Sequence, residues 1–290
     1  MRILVTGGSG FTGSRVITCL IARGHDVVAT ARSSEATAKI TSLGATALSA
    51  NLDDAQSVSR AFKEAGAEVL VNVASLGFGH AQVILDAVND ADLQHAVFVS
   101  TTSIFTKLNA RTKPIRTDAE RRIQDSGLQH IIVRPTMIYG APGDRNMERL
   151  IAVVAKSPII PLPGGGRGKQ QPVHVDDLAD AIASAGEFVL TASGEYNLAG
   201  PEPLTLRQVV ESTANALGRH VRIVAVPDAL VRGAVSLHER LPGRTRLSTE
   251  QIDRVREDKV FDIHLAQRDL GFRSRSFSEG ISAEARLCRR

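Results

Sequence analysis

Residues 6–13, TGGSGFTG, set Gly7, Gly10 and Gly13 between the apolar run Ile3, Leu4, Val5 and an apolar stretch of helical character. A strand, a tight turn and a helix start in that order give each glycine a separate task. Gly7 permits the turn, Gly10 lets a pyrophosphate approach the backbone, and Gly13 allows the helix to pack closely on the strand. Free N–H groups and the positive end of the helix dipole then face the phosphates. About 20 residues further on, a carboxylate would hold a free ribose 2′-hydroxyl, whereas an arginine accommodates a 2′-phosphate. The second strand runs VVATARSS and offers Arg32, with Ser33 and Ser34 as hydroxyl donors, and no carboxylate. NADP(H) is therefore expected over NAD(H).

These residues need elements that bring them to one edge of a sheet. Apolar patterning and turn residues predict helices over residues 14–23, 35–43, 55–65, 81–89 and 117–126. Strands are predicted at 25–32, 45–52, 69–74, 95–100 and 130–135. This alternation predicts an α/β fold with a doubly wound parallel sheet, whose ligands bind at the carboxyl ends of the strands. A chain of 290 residues has room for such a dinucleotide-binding domain, expected over residues 1–140, and a smaller C-terminal lobe over 141–290. Residues 158–168, PIIPLPGGGRG, read as a loop or hairpin.

Composition excludes several other classes. The hydrophobic fraction is 43% with no Trp and two Tyr, which suits the Val, Leu, Ile and Ala core of a covered parallel sheet. The net charge of +4 is scattered along the chain, with no basic stripe interleaved with stacking aromatics, so a nucleic-acid partner is not expected and a small anionic or polar substrate is. Cys19 and Cys288 lie at opposite ends and form neither a disulfide framework nor a metal motif. With no secretory h-region and no apolar run of membrane-spanning length, the expectation is a soluble cytoplasmic protein.

Several segments, in order, resemble the short-chain dehydrogenase/reductase superfamily in its extended or atypical branch, the NAD-dependent epimerase/dehydratase-like Rossmann proteins. Residues 6–13 are similar to its TGxxGxxG turn. Asn51-Leu52-Asp53 stands where its acidic-Leu motif lies beside the adenine, with Asn51 replacing Asp. Val73-Ala74-Ser75 looks like the loop under the ribose and pyrophosphate, and RPTMIYG at 134–140 resembles the RPxxVYG segment that lines the nicotinamide. Residues 172–182, PVHVDDLADAI, and 194–200, GEYNLAG, match the stretch that returns the chain from the substrate lobe to the sheet, so 172–200 are expected back on it. The resemblance implies cofactor contacts from Gly7, Ser9, Gly10, Phe11, Thr12, Gly13, Arg32, Ser33, Asn51, Leu52, Val73, Ala74, Ser75, Ser100, Arg116, Pro135, Thr136 and Met137. It also implies that residues 247–272 close the substrate lobe, and it makes a homodimer the expected assembly.

The same superfamily works through Ser/Thr, Tyr and Lys, and here the chain departs from it. The run STTS at 100–103 supplies Thr101, and next Thr102, for the oxygen-binding hydroxyl. Tyr139 and Tyr196 are the only tyrosines, and neither stands in a Tyr-x-x-x-Lys arrangement. By the resemblance of residues 116–135 to the relevant helix and strand, Arg116 takes the place of Lys and Thr112 that of Tyr. An arginine can hold ribose hydroxyls but is no proton source near neutrality, and a threonine is a poor acid or base unless activated. Where related epimerases place an arginine for a substrate diphosphate, Gln170 and Gln171 occur; Arg145, Asn146, Arg149, Arg167 and Lys169 are the candidates to hold a polar or anionic substrate. His80 in the GFGH loop is a candidate proton donor, while His174 on an apolar strand reads as a core residue. Two functions stay open: an NADP(H)-dependent oxidoreductase or epimerase/dehydratase-like enzyme acting on a small polar carbonyl or hydroxyl compound, with a nucleotide sugar as one candidate, and a non-catalytic NADP(H)-binding sensor or structural subunit.

Overall fold

The computed structural model describes residues 1–140, 143–227, 229, 230, 253 and 256–288, with the side chains of 145, 146 and 288 excepted. Its centre is a seven-stranded sheet: β1 (Arg2–Thr6), β2 (Asp26–Ala31), β3 (Thr46–Ser49), β4 (Val69–Asn72), β5 (His95–Val99) and β6 (Gln129–Pro135), joined at one edge by β11 (Gly194–Leu198). The order is β11-β6-β5-β4-β1-β2-β3, with every pairing parallel. The winding runs outward from β1 to β3, then crosses back to β4. That reversal leaves a crevice at the carboxyl ends of β1 and β4, the place where such sheets bind ligands.

Helices cover both faces, which is why the strands are apolar on both sides. On one face α1 (Phe11–Ala22) packs against α7 (Val175–Phe188), burying Val16, Ile17 and Leu20 against Leu178, Ile182 and the sheet. On the other lie α3 (Ala55–Ala65), α4 (Ala81–Asp90) and α5 (Lys113–Asp125), which bury Phe62, Ile84 and Ile123. α2 (Ser34–Ser42) begins under the Ser33 hydroxyl, which accepts from the Ala36 N–H at 3.2 Å. α5 starts at Lys113, four residues before the predicted 117, because Pro114 sits in the first turn, where its missing N–H costs nothing.

A smaller lobe carries α6 (Arg145–Lys156), α8 (Leu206–Ala216) and α10 (Phe277–Cys288). Two-residue strands, β7 (Ile138–Tyr139) with β10 (Val173–His174) and β9 (Lys169–Gln170) with β12 (Leu204–Thr205), pair outside the main sheet. Residues 158–168 are not the predicted loop or hairpin. Within them β8 (Ile159–Pro163) is a strand paired in parallel with β13 (Arg222–Val226), and only the glycines at 164–166 turn, each with positive φ. β8 alternates, with Ile160 and Leu162 buried, and its prolines are tolerated because it belongs to a two-stranded sheet with an open edge. The tail also departs from expectation. Of residues 247–272, 247–252 lie outside the described residues. Further on, α9 (His264–Leu270) packs on α7 and β11 rather than on the substrate lobe; α10 alone joins the lobe, against α8. Among the described residues no helix is long and apolar enough to cross a membrane, and no group of three or more His, Cys, Asp or Glu could hold a metal.

Candidate functional site

The glycine turn is shaped by contacts that exclude side chains. Gly7 has φ +71°, and a Cβ there would lie 2.8 Å from the Ala74 nitrogen. At Gly13 a Cβ would overlap the Gly7 carbonyl oxygen. Gly10 is the N-cap of α1 and provides no side-chain cap, nor is there an acid in the first turn, so the first N–H groups of the helix are left for an anion. The loop after β4 is fixed to this turn by a buried pair absent from the sequence reading. The Thr6 hydroxyl donates to Asn72 Oδ1 at 2.6 Å, and Asn72 Nδ2 donates to the Ala74 carbonyl at 3.1 Å. An Asn closing the apolar run VLVN was its one signal.

A cavity of about 340 Å³ opens at the crevice. Of the predicted residues, Gly7, Gly10, Phe11, Thr12, Gly13, Val73, Ser75, Ser100, Thr101, Arg116, Pro135 and Thr136 line it, together with Leu76, Val99 and Ile138, which the sequence reading missed. Met137 does not line it; it packs into the smaller lobe with Tyr139 and Phe277, while its neighbour Ile138 reaches the cavity. A shallower depression of about 430 Å³ over Asn109 and Arg121 lies along α5; the smaller cavity is the candidate site because the glycine turn and the uncapped start of α1 line it.

The residues assigned to the adenosine end stand outside the cavity. Arg32 is exposed at the end of β2 and Ser33 caps α2. Beside them Lys39 Nζ donates to the Ser9 carbonyl at 2.7 Å, bringing a second cation to the glycine turn. Asn51 Oδ1 accepts from the Asp53 N–H at 3.2 Å, Leu52 packs under α3 and α4, and Ala74 abuts Gly7. His80 belongs with this group and not with the cavity, since its Nε2 pairs with Asp53 Oδ1 at 2.9 Å.

At the inner end the hydroxyls are sorted by their partners. Thr101 lines the cavity, and its Oγ1 accepts from the Ser103 N–H at 3.2 Å, starting a short 3-10 turn over Thr102–Phe105. Thr102 is buried and donates to the Pro135 carbonyl at 3.2 Å, so its hydroxyl is turned away from the cavity. Ser100 donates to the buried Glu120, which Arg134 grips through Nε at 3.0 and 3.1 Å and Nη2 at 2.6 Å. Arg134 Nη2 also reaches Glu195 at 2.7 Å. Burial works against the Arg134 charge, but the two carboxylates outweigh it and hold the guanidinium above its ordinary value. Ser100 therefore presents oxygen lone pairs to the cavity rather than its proton. Arg116 lies flat over Gly77, where a Cβ would sit 2.7 Å from its Nε, and its Nη1 donates to Ser103 Oγ at 3.1 Å.

Neither tyrosine serves this cavity. Tyr139 is fully buried, edge-on to His174 at 5.2 Å, with its hydroxyl against Gly280, and burial raises its pKa. Tyr196 donates to Asp269 at 3.1 Å, and burial with that carboxylate pushes it up to about 12. His174 caps α7, its Nδ1 accepting from the Asp176 N–H at 3.3 Å, while burial and the Arg275 charge lower its pKa. Thr112 caps α5 without a side-chain hydrogen bond to the helix. Arg149, Arg167 and Lys169 are exposed and none lines the cavity; the side chains of Arg145 and Asn146 lie outside the described residues.

Comparison with known proteins agrees with this fold. A family model described as NAD(P)H-binding matches residues 7–186. A 2-alkyl-3-oxoalkanoate reductase of Stenotrophomonas maltophilia is 29% identical over 333 residues, covering 97% of each chain. The 4-hydroxy-2-methyl-3-oxo-4-farnesyl-3,4-dihydroquinoline-1-oxide ketoreductase of Stigmatella aurantiaca is 27% identical over 278 residues, 83% of this chain and 80% of its own. The chain spans only 24% of the length of the mycobacterial relatives it also matches. Among solved structures, a UDP-glucose-4-epimerase from Stenotrophomonas maltophila, with bound NAD and formylated UDP-arabinopyranose, superposes with a TM-score of 0.75 at 19% identity, covering 100% of this chain and 99% of its own.

Proposed function

The chain belongs to the NAD(P)H-binding family, and from that premise we propose that it is an NADP(H)-dependent oxidoreductase that reduces a carbonyl group of a small molecule. The observation that carries this is the meeting of Thr101 and Arg116 in the same cavity as the glycine turn. The turn fits a dinucleotide, because Gly7 and Gly13 leave no room for a Cβ and the first N–H groups of α1 are uncapped. When bound, the nicotinamide supplies the hydride. Thr101 orients the substrate oxygen, and the fixed guanidinium of Arg116 stabilises the negative charge that develops there. Arg116 keeps its proton, so the product hydroxyl draws its proton from solvent. The reductase names of two relatives support carbonyl reduction. A second reading, a non-catalytic NADP(H) sensor, draws on the placement of both tyrosines away from the cavity, Tyr196 bonded to Asp269 and Tyr139 buried against Gly280.

Incubation with NADPH deuterated at C4 and a panel of ketones, aldehydes and sugar nucleotides separates the two. Deuterium on a product carbinol carbon is expected, whereas tight NADPH binding with no transfer across the panel selects the sensor. For the cofactor, Arg32 and Lys39 beside the glycine turn favour the 2′-phosphate. Arg32→Ala is expected to weaken NADPH binding roughly 10- to 100-fold, the worth of one or two charge-assisted hydrogen bonds, and to leave NADH affinity unchanged. Equal losses for both cofactors in a calorimetric titration would show that Arg32 does not read the phosphate.

A further inference from the structure

Just outside the residues that line the cavity, the surface beyond Thr101 is apolar. Phe105, at the end of the 3-10 turn that Thr101 begins, is 49% exposed and stands 5.9 Å from Phe261, ring centre to ring centre; Val260 next to it is 46% exposed. Phe261 is brought here by the cavity lining itself. The Thr136 hydroxyl donates to the Gln171 carbonyl at 2.5 Å, and Gln171 Oε1 accepts from the Phe261 N–H at 2.9 Å. The remaining amide group of Gln171 donates to the Gly200 carbonyl at 2.7 Å. Glu257 secures the other end of this segment. Its carboxylate accepts from the Thr106 hydroxyl at 2.5 Å and the Lys107 N–H at 2.6 Å, and its carbonyl from Gln170 Nε2 at 3.3 Å. Asp258 accepts from the Lys169 N–H at 2.8 Å.

Residues 257–261 thus run beside the 3-10 turn, one contact removed from the cavity. They bring Glu257, Asp258 and Lys259 and an aromatic-aliphatic face, while the Gln170 and Gln171 amides are engaged in holding them. With one lysine against two carboxylates, residues 257–261 carry a net charge of −1 and offer a diphosphate no net attraction. An apolar face close to a polar cavity is a usual form of a site that fixes a reactive group at one end and seats an apolar body at the other.

We propose that Phe105, Val260 and Phe261 seat the apolar body of the substrate, so that the chain takes a ketone bearing an uncharged alkyl, prenyl or aryl group rather than a nucleotide-linked sugar. The word ketone rests on the carbonyl-reduction reading; the apolar seat does not.

The test is the affinity of the NADPH-loaded protein for 2-butanone, 2-hexanone, 2-octanone and 2-decanone, measured by saturation-transfer NMR, with UDP-glucose as competitor. Kd is expected to fall roughly threefold to fourfold for each methylene seated, from about 0.8 kcal/mol per buried CH₂. UDP-glucose is expected not to displace the ketones. Phe105→Ser and, separately, Val260→Ser should flatten the dependence on chain length, and Leu265→Ser, on the exposed side of α9, should keep it. A Kd independent of chain length overturns the proposal, as does displacement by UDP-glucose. So does a Phe105→Ser variant that changes the oligomeric state while its slope matches the unmodified chain, because a second copy would then be what covers the face. Chain-length-dependent binding without deuterium transfer leaves the seat standing and defeats the reductase reading; transfer without chain-length dependence does the reverse.

Discussion

Arg134→Met is expected to destabilise the chain by about 3–5 kcal/mol, the usual consequence of stranding one member of a buried ion pair. Glu120 would keep only the Ser100 hydroxyl as a hydrogen-bond donor in a site where its side chain is almost fully enclosed. Glu195 can return to water, because its side chain is 38% exposed, but Glu120 cannot. The Phe105 ring, 5.3 Å from the Arg134 guanidinium carbon, would lose its cationic neighbour as well. Glu120→Leu combined with Arg134→Met removes both charges, and replacing both partners of a buried pair is often close to neutral. Urea unfolding of the two single variants and the double variant measures the difference as a coupling energy. A double variant as unstable as Arg134→Met alone would mean that packing, not the uncompensated carboxylate, carries the cost. The consequence reaches the cavity, because Glu120 is what fixes the direction of the Ser100 hydroxyl.

Much of the scaffold was legible because it depends on local signals. The run Ile3, Leu4, Val5 next to Gly7, Gly10 and Gly13 places strand, turn and helix within 22 residues, and the observed β1 and α1 follow that order. The helix predicted over residues 55–65 matches α3, whose ends carry their own chemistry: Asp54 caps one and Gly66, at φ +53°, closes the other. What escaped depends on partners far away in sequence. The direction of Thr102 is set by the Pro135 carbonyl, the strand character of residues 159–163 by a segment 63 residues on, and the work of Gln171 by Phe261. A threonine in STTS carries no local mark of whether its hydroxyl faces a cavity or a neighbouring strand. His80 was assigned to the substrate because it follows a glycine loop, yet the carboxylate that holds it, Asp53, lies beside Asn51 and Leu52.

Glu284 should give the chain a stability that falls as pH rises from about 4.5 to about 7. It lies on α10, 1% exposed, and neither carboxyl oxygen has a hydrogen-bond partner among the described residues. Burial, and then the charges of Asp144 and Glu148, push it up to about 7 from an ordinary 4.5. A group that binds its proton more tightly folded than unfolded stabilises the fold fully below its unfolded pKa, and that stability is gone once pH passes the folded one. Across this interval the loss is about 3 kcal/mol, from 1.36 kcal/mol per unit. His174 acts in the opposite sense. Its pKa is lowered in the fold, so its contribution diminishes as pH falls below about 6.5. The discriminating quantity is therefore the difference between the unmodified chain and Glu284→Gln, which shares His174 and the paired carboxylates. The two Tm values should be close at pH 4.5, and the variant should be more stable by roughly 6–9 °C at pH 8. Parallel curves would place the titration elsewhere. The effect bears on the cavity as well as on stability: Asp144 accepts from the Gly140 and Met147 N–H groups at 3.3 and 3.1 Å, and Gly143 beside it rests on the Phe11 ring that lines the cavity. Charging Glu284 opposite Asp144 thus loosens α10 from a part of the smaller lobe that touches Phe11, and NADPH affinity should weaken over the same interval in which the Tm falls.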